Sequence, residues 1–444
     1  MTRTSHDRSI DASGSAARTR YLQRYEAVDQ DFRKQVATFG LPFAPRRNEA
    51  ERERLLAHLS QRDVALSNEG KSIHAGWISP SCVQCRRGVG AATFLLSVQC
   101  PKNCYFCFNP NQLDYDRLLH ETNDVLGELD AVHARGIELT DIALTGGEPL
   151  VHASESIAFF KHAAELFPQA RTRLYTSGVC LDDGLLACLE EARLDEIRFS
   201  VKIDEPPKLR AALLDLIEHS THGIGSVVVE MPVMPDGLED MKKLLVELDA
   251  IGIDGINLLE LCYPLHNAEA FAERGYAIKN PPYRVLYDYW YAGGLPIDGS
   301  EEACLRLIAF ARDAKLGMGV HYCSLENKFT SQIYLQNSPF RHAFPQCILS
   351  ERDCFLKTAR AFGDDVARVA QALDALGAAE YEIDRKDATI AFSPNLVPLL
   401  AAEFADMPLG IGSCVVERDG DDARLRELAV RPTTPRKFDC ATDL

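Results

Sequence analysis

From Thr93 onward the chain alternates short apolar runs with amphipathic stretches of helical period. This rhythm predicts βα units and a parallel sheet. The predicted strands are residues 93–98, 141–144, 172–176, 196–201, 226–230 and 255–261, with helices at 123–135, 154–166, 183–191, 207–219 and 238–249. Strands and helices so ordered suit a partial or closed parallel barrel, of which a partial (β/α)6 form is expected, with its chemistry at the C-terminal strand ends. A further helix, 301–315, feeds a late strand, 317–323.

The flanks follow other patterns. Residues 1–20 are rich in Ser, Thr, Arg and Ala and are expected to be disordered. Residues 21–66 read as helical, interrupted by the turn between Pro42 and Pro45, and the charged run 49–54 reads as a solvated helix face. Residues 262–299 are aromatic and irregular, with six Tyr and a Trp, and read as packing. After about residue 344 the βα rhythm stops. Helices at 365–376 and 395–404, with strands at 380–384, 388–392, 412–417 and 426–430, indicate a small α+β domain. The expected organisation is therefore a disordered 1–20, a helical extension 21–80, a core 81–344 and a C-terminal α+β domain 345–444.

Composition narrows the function classes. A chain of 444 residues has room for two or three domains and a sizeable core. Its formal net charge of −17 argues against a general nucleic-acid or anionic-membrane binder. No apolar run reaches membrane-spanning length, and the first twenty residues contain no apolar stretch of signal-peptide type, so a cytoplasmic location is expected. Fourteen cysteines are many for a reduced compartment. Disulfide scaffolds are small and core-poor, so clustered thiols here point to metal ligation.

Three of those thiols, Cys100, Cys104 and Cys107, share one loop immediately after the first core strand. For this composition the spacing has a chance expectation of about 0.01. Three thiolates so placed can hold three corners of an iron–sulfur cube and leave one iron free to bind a small molecule, whereas four-thiolate cubanes serve electron transfer. The next strand ends in Gly146-Gly147-Glu148-Pro149. Two residues without Cβ allow close approach of a ligand to the backbone, and Glu148 offers a carboxylate to an ammonium group.

Cys100, Cys104 and Cys107, with Phe106 before the last cysteine and the Gly146–Pro149 turn downstream, resemble the radical S-adenosylmethionine (SAM) superfamily over about residues 93–261. The resemblance implies a radical-SAM-type barrel in which the three cysteines hold a [4Fe–4S] cluster. Its open iron would chelate the amino and carboxylate groups of SAM. One-electron reduction would then yield a 5′-deoxyadenosyl radical that abstracts hydrogen from a substrate. It also implies that Gly146, Gly147 and Glu148 contact the methionine amino group and that Phe106 lies beside the adenine. Ser177 stands where the family often has Asn. Ser200, Lys202 and Glu230, near the ends of the fourth and fifth strands, are placed to reach the ribose or carboxylate.

A second set of thiols is Cys82 and Cys85, a Cys-x-x-Cys pair whose chance expectation is about 0.4, together with Cys323 in a late His321-Tyr-Cys-Ser segment followed by Lys328. With the segments Leu174–Thr176, Ile197–Phe199 and 257–261, this arrangement resembles an uncharacterised radical-SAM group related to pyruvate formate-lyase activating enzymes. Ser200 departs from that group's usual His. Three readings of the thiols stand. Cys82, Cys85 and Cys323 ligate an auxiliary iron–sulfur cluster near the barrel mouth, with Cys347, another side chain or the substrate as fourth ligand. Alternatively they hold zinc, or one of them, Cys323 foremost, is a free catalytic thiol that donates hydrogen to a substrate radical. His321 is expected to support such a site rather than ligate. The expected partners are a small-molecule or peptide substrate and an electron donor such as flavodoxin or ferredoxin. The alternative of another class is a non-catalytic iron–sulfur or zinc protein acting as electron carrier or binding module.

Overall fold

The computed structural model describes residues 16–46, 49–282, 294–378, 380–419 and 422–444. They fall into two compact units: Phe39–Phe329, and the residues up to Thr38 together with Thr330–Leu444. The expected disorder of 1–20 lies outside the described residues as far as residue 15; from Ala16 the chain is helical.

The larger unit carries one nine-stranded sheet. Its strands are β1 (Ala65–Ser67), β2 (Ser72–Ala75), β3 (Ala91–Leu95), β4 (Asp141–Thr145), β5 (Arg171–Thr176), β6 (Glu196–Phe199), β7 (Ser226–Val233) and β8 (Gly255–Glu260). A short antiparallel pair outside the sheet, β9 (Cys262–Tyr263) and β10 (Leu295–Pro296), precedes the last strand, β11 (Gly319–Cys323). The spatial order is β1-β2-β11-β8-β7-β6-β5-β4-β3. The strands from β3 to β8 run parallel to one another, and β11 runs parallel to β8. The two ends of the sheet, β1 and β3, do not pair with each other, so the barrel is partial.

The expected α/β architecture is thus present, with one addition. The segment expected to be a helical extension contains the β1–β2 hairpin, which joins the sheet antiparallel to β11. Strands of three and four residues are too short to show alternation in the sequence. Helix Ala50–Leu59 belongs to this unit, where Arg52 pairs with Glu301 of helix Ser300–Asp313 at 2.7 Å. Of the aromatic segment, residues 283–293 lie outside the described residues, while Tyr263 and Tyr276 pack on Phe271 at 5.2 and 6.3 Å between ring centres. Among the described residues no helix is long and apolar enough to cross a membrane.

The smaller unit is built on a separate antiparallel sheet: β12 (Ile348–Leu349), β13 (Leu356–Phe362), β14 (Tyr381–Asp384), β15 (Thr389–Phe392), β16 (Leu409–Asp419) and β17 (Asp422–Thr433), in the order β14-β15-β13-β16-β17 with β12 beside β13. Its central strand, β13, has no counterpart in the sequence reading. Lys-Thr-Ala-Arg-Ala has little intrinsic strand preference, and pairing on both edges overrides that. Helix Ala16–Ala37 joins this unit rather than a separate extension: Tyr21 donates to Glu427 of β17 at 2.6 Å, and Arg360 of β13 bonds the same carboxylate at 3.0 Å.

Trp77 closes the junction of β8 and β11. A Cβ at Gly319 would lie 1.9 Å from the Trp77 carbonyl oxygen, and one at Gly255, its parallel partner, 3.1 Å from the Trp77 ring. Gly319→Ala is therefore expected to destabilise the protein by about 1–3 kcal/mol through overpacking, measured as a lower denaturation midpoint with an unchanged slope.

Candidate active site

Side chains of a strand alternate between faces, and here the two faces differ in kind. One set, including Ile142, Leu144, Leu174, Ile197, Phe199, Val227, Val229, Ile256, Leu258, Val320 and Tyr322, joins Phe159, Leu189 and Leu245 of the covering helices in one apolar core. The other set, though it also holds Ala143, Val228 and Leu259, carries the polar residues Asp141, Arg173, Tyr175, Glu196, Arg198, Glu230, Asn257 and His321. The ladders align these residues. Arg173 is the partner of Glu196, Tyr175 of Arg198, and Glu230, Asn257, His321 and His74 form one row across four strands.

The cysteine loop leaves the C-terminal end of β3. Burial raises the pKa of Cys100 and Cys107, and neighbouring negative charges raise both further: Glu148, then Cys104 and Cys107, act on Cys100, and Cys104 acts on Cys107. The loop's sulfurs are thus close enough for their charges to act on Cys100 and Cys107, and a positive group between them would relieve that repulsion. Opposing the rise are backbone amides, of Lys102 at Cys100 and of Asn109 at Cys107, and the Lys202 ammonium, which favours the Cys107 thiolate. Thiolate donors, amides aimed at sulfur and an open loop suit a cluster held by three cysteines. The ring of Phe106 stands edge-on to Tyr105 at 5.1 Å, and Arg274 lies 4.1 Å over the Tyr105 ring.

The Gly146–Pro149 turn has a role beyond the one its glycines suggest. The absent side chains make room for backbone: a Cβ at Gly146, whose φ is +152°, would lie 2.2 Å from the Ser97 oxygen, and one at Gly147 would lie 2.3 Å from that of Gln99. In that space Gly147 N–H donates to Ser97 at 2.8 Å and Glu148 N–H to Gln99 at 2.7 Å. The turn is therefore fastened to the residues that lead into Cys100. The Glu148 carboxylate is fully buried and already engaged. One oxygen accepts from Thr176 Oγ1 at 2.8 Å and Leu150 N–H at 3.2 Å, and the other from the N–H and Oγ of Ser177 at 2.6 Å each. Ser177 thus serves Glu148, tying the end of β5 to that of β4.

The remaining residues expected at strand ends separate. Ser200 follows β6, exposed, with its N–H donating to the Thr176 carbonyl at 2.9 Å, and Lys202 reaches toward Cys107. Glu230 does not end its strand, since β7 continues to Val233. It points into the polar interior, where Arg198 donates to it at 2.6 Å and Asn257 at 2.7 Å.

Arg198 is the hub of that interior. Its Nε donates to Glu196 at 2.6 Å, its Nη1 to Glu230, and its Nη2 to Ser79 Oγ at 3.2 Å and to Cys82 Sγ at 3.3 Å. Asn257 Nδ2 donates to Cys82 Sγ at 3.4 Å. Because that amide nitrogen faces Glu230, its oxygen faces His321, so His321 Nδ1 donates to Asn257 at 2.9 Å and Nε2 accepts from Ser72 at 2.9 Å. Burial and nearby His74 and Arg198 push His321 down to about 3, so it is a neutral supporting residue. The helix Pro80–Gln84 comes in beside Asp141 and Glu196, the first residues of β4 and β6, through Ser81 and Ser79. The segment that carries the paired cysteines therefore enters beside the first residues of β4 and β6, while Cys323 is the last residue of β11.

Cys82, Cys85 and Cys323 are brought together. Burial raises Cys323 to about 12, with the charges of Cys85 and Cys82 adding to the rise, and it raises Cys85, to which Cys82 also adds. Cys323 Sγ accepts from Asn327 Nδ2 at 3.3 Å and feels the Lys328 ammonium. Among the described residues no three Cys, His, Asp or Glu side chains converge tightly enough for a single ion, as zinc bonded at about 2.3 Å to each sulfur requires. A cubane places each thiolate on a different iron and so accepts wider spacing. Cys347 lies in the other unit, in an apolar cluster with Leu356, Cys414 and Val416.

Sequence reasoning flagged the motifs around Tyr175, Arg198, Asn257 and His321 without seeing that their inward side chains meet. The signal was available: strands of a covered parallel sheet are ordinarily apolar throughout, so Arg or Glu at alternate positions marks a polar interior.

A parallel barrel with a cysteine triplet at the exit of its first parallel strand defines a class of enzymes that cleave SAM reductively. Residues 94–248 match the family described as the radical SAM superfamily, so this part of the chain is a radical SAM domain. Among curated proteins it is 25% identical over 341 residues, 73% of this chain and 84% of the relative, to a Methanocaldococcus jannaschii protein provisionally described as a glycyl-radical enzyme activating enzyme. It is 33% identical over 107 residues to a PqqA peptide cyclase of Granulibacter bethesdensis, covering 24% of this chain and 27% of that one. Solved structures align more loosely. SuiB of Streptococcus suis bound to S-adenosylmethionine gives a TM-score of 0.39 at 12% identity, over 54% of this chain and 51% of that one. Coproporphyrinogen III oxidase (HemN) of Escherichia coli gives 0.36 at 16% identity, over 58% and 62%. The chain thus spans about half the length of these solved structures, and the fold rests on its own strand order.

The interior carboxylates make stability depend on pH. For both Glu196 and Glu230 burial acts to raise the pKa, but Arg198 and hydrogen bonds outweigh it and hold each below the ordinary 4.5. A depressed carboxylate contributes stability that is complete above the unfolded value and lost as pH falls through the folded value. Denaturation midpoints should therefore be flat above about pH 5 and fall below about pH 4, and the fall should be smaller in a Glu230→Gln variant.

Proposed function

We propose that Cys100, Cys104 and Cys107 hold a [4Fe–4S] cluster whose open iron binds SAM, and that the protein acts on a protein or peptide substrate. The chemistry supplied by cluster and SAM when bound is reductive cleavage to a 5′-deoxyadenosyl radical that abstracts hydrogen, with the electron delivered by a donor such as flavodoxin or ferredoxin. The observation that carries the reading is the anchoring of the cysteine loop: Gly146, Gly147 and Glu148 pin its entry, and amides at Lys102 and Asn109 face two of its sulfurs.

The chain's own residues divide the remaining work. Gly146 and Gly147 hold the methionine end through backbone, while Glu148 keeps the β4 and β5 exits together instead of offering a free carboxylate. Phe106 and Ser200 flank the adenosine, and Lys202 balances the charge of the Cys107 sulfur. The protein or peptide substrate class is supported by the names of the two curated relatives, one an activating enzyme and the other a peptide cyclase.

The reading extends to Cys82, Cys85 and Cys323 as ligands of an auxiliary iron–sulfur cluster inside the barrel. Three thiols, two of them with pKa raised by burial and by the charges of the others, with Arg198 and Asn257 on the Cys82 sulfur and Asn327 and Lys328 acting on that of Cys323, form a donor set that a cationic inorganic core would complete.

Cys104→Ala should abolish both the brown chromophore and 5′-deoxyadenosine formation after anaerobic reconstitution with iron, sulfide and dithionite. Cys82→Ala should keep SAM cleavage and lose the second cluster's share of iron. Intact Cys104→Ala activity would end the first reading, and unchanged iron in Cys82→Ala the second.

A further inference from the structure

The interior of the barrel contains a cation whose contacts match the tuning of a metal-bound sulfur. We propose that Arg198, with Asn257, is a positioning residue for Cys82 that fixes its sulfur and raises the reduction potential of the auxiliary cluster; this rests on the reading that such a cluster exists.

The case begins with the sulfur. Cys82 Sγ meets two N–H donors, Arg198 Nη2 at 3.3 Å and Asn257 Nδ2 at 3.4 Å. A metal-bound thiolate is acceptor-only, and hydrogen bonds to it draw electron density away from the metal. Donors and positive charge at cluster sulfurs are among the recognised levers on potential, because they stabilise the more negative, reduced state. Both donors are held on their far sides. Arg198 is clamped by Glu196 at 2.6 Å and Glu230 at 2.6 Å, and Asn257 by Glu230 at 2.7 Å and His321 at 2.9 Å. The backbone of Cys82 is fixed by the same group, since Ser79, which caps its helix, receives Arg198 Nη2 at 3.2 Å and donates to Glu196 at 2.6 Å. One guanidinium thus sets both where the cysteine sits and what field its sulfur feels. An Arg198→Lys substitution would keep the charge, but a single ammonium could not reach Glu196, Glu230, Ser79 and Cys82 together.

The test is a redox titration of the reconstituted full-length protein followed by EPR, with iron and sulfide counted per chain. Against wild type, Arg198→Gln and Arg198→Lys should each lower the auxiliary cluster's potential. At a fixed solution potential the reduced-to-oxidised ratio should fall at least tenfold in Arg198→Gln, about 59 mV for one electron, and by less in Arg198→Lys. The Cys100/Cys104/Cys107 cluster should be unmoved. If Arg198→Gln does not fold, Arg198→Lys and Asn257→Ser carry the measurement. A second cluster whose potential stays put in these variants overturns the inference and leaves the cluster reading standing. Wild-type protein with iron and EPR signals of one cluster only overturns that reading, and the inference with it.

Discussion

A guanidinium enclosed by a sheet has no water to solvate it, and the structure inside the barrel follows from that constraint. Removing an ion from water costs several kcal/mol even after relaxation, and the cost is met only by well-placed partners. Arg198 is 4% exposed and has two carboxylates, a hydroxyl and a sulfur around it. Those partners come from β6 itself, from β7 and from the segment leading into the paired cysteines. Satisfying one cation therefore fixes the register of the inward row and draws residues 79–82 against the sheet. Arg173, paired with Asp141 at 3.0 Å, repeats the device one strand away.

The C-terminal strand ends are organised on a different principle, close contact between backbones. The exits of β3 and β4 approach so nearly that neither Gly146 nor Gly147 has room for a side chain, and Glu148 extends the connection to the exit of β5. The cysteine loop hangs from the first of these exits and so inherits their rigidity. A cluster of fixed size needs its ligands held in advance, and on the proposed reading this backbone packing would do so. The two regions are therefore chemically unlike: one anchored by amides and absent side chains, the other by buried ions.

How much of this could be read from the sequence depended on whether the signal was local. The helix-facing strand residues repeat every second position over four to eight residues, so every parallel strand of the barrel was legible, as was the cysteine triplet. The β1–β2 hairpin was not, because three- and four-residue strands carry no period. Strand β13 was missed because its Ala-rich segment becomes a strand only through two neighbours distant in the chain. For Glu148 and Glu230 the residues were noted but their partners were not foreseen. A carboxylate at a strand end looks free until Thr176 and Ser177 are known to face it, and Glu230 looked terminal because Met231, Pro232 and Val233 do not announce that the strand continues.

Barrels of this general type are commonly filled with branched apolar side chains, which makes the interior a source of stability. Here the inward positions include Arg173, Glu196, Arg198, Glu230 and Asn257, whose burial is at best neutral for stability compared with apolar residues of the same size. A chain with ample apolar core on the other face of the same strands had no need of such a filling. The polar interior is better understood as a requirement of what occupies it. Each of its carboxylates is paired with a guanidinium before any thiol ionises, Asp141 with Arg173 and both Glu196 and Glu230 with Arg198, while the Lys328 ammonium acts on Cys323. On the proposed reading, the cysteine loop after β3 and the set Cys82, Cys85 and Cys323 draw on different residues of one sheet, so two sulfur-bound groups would not compete for ligands.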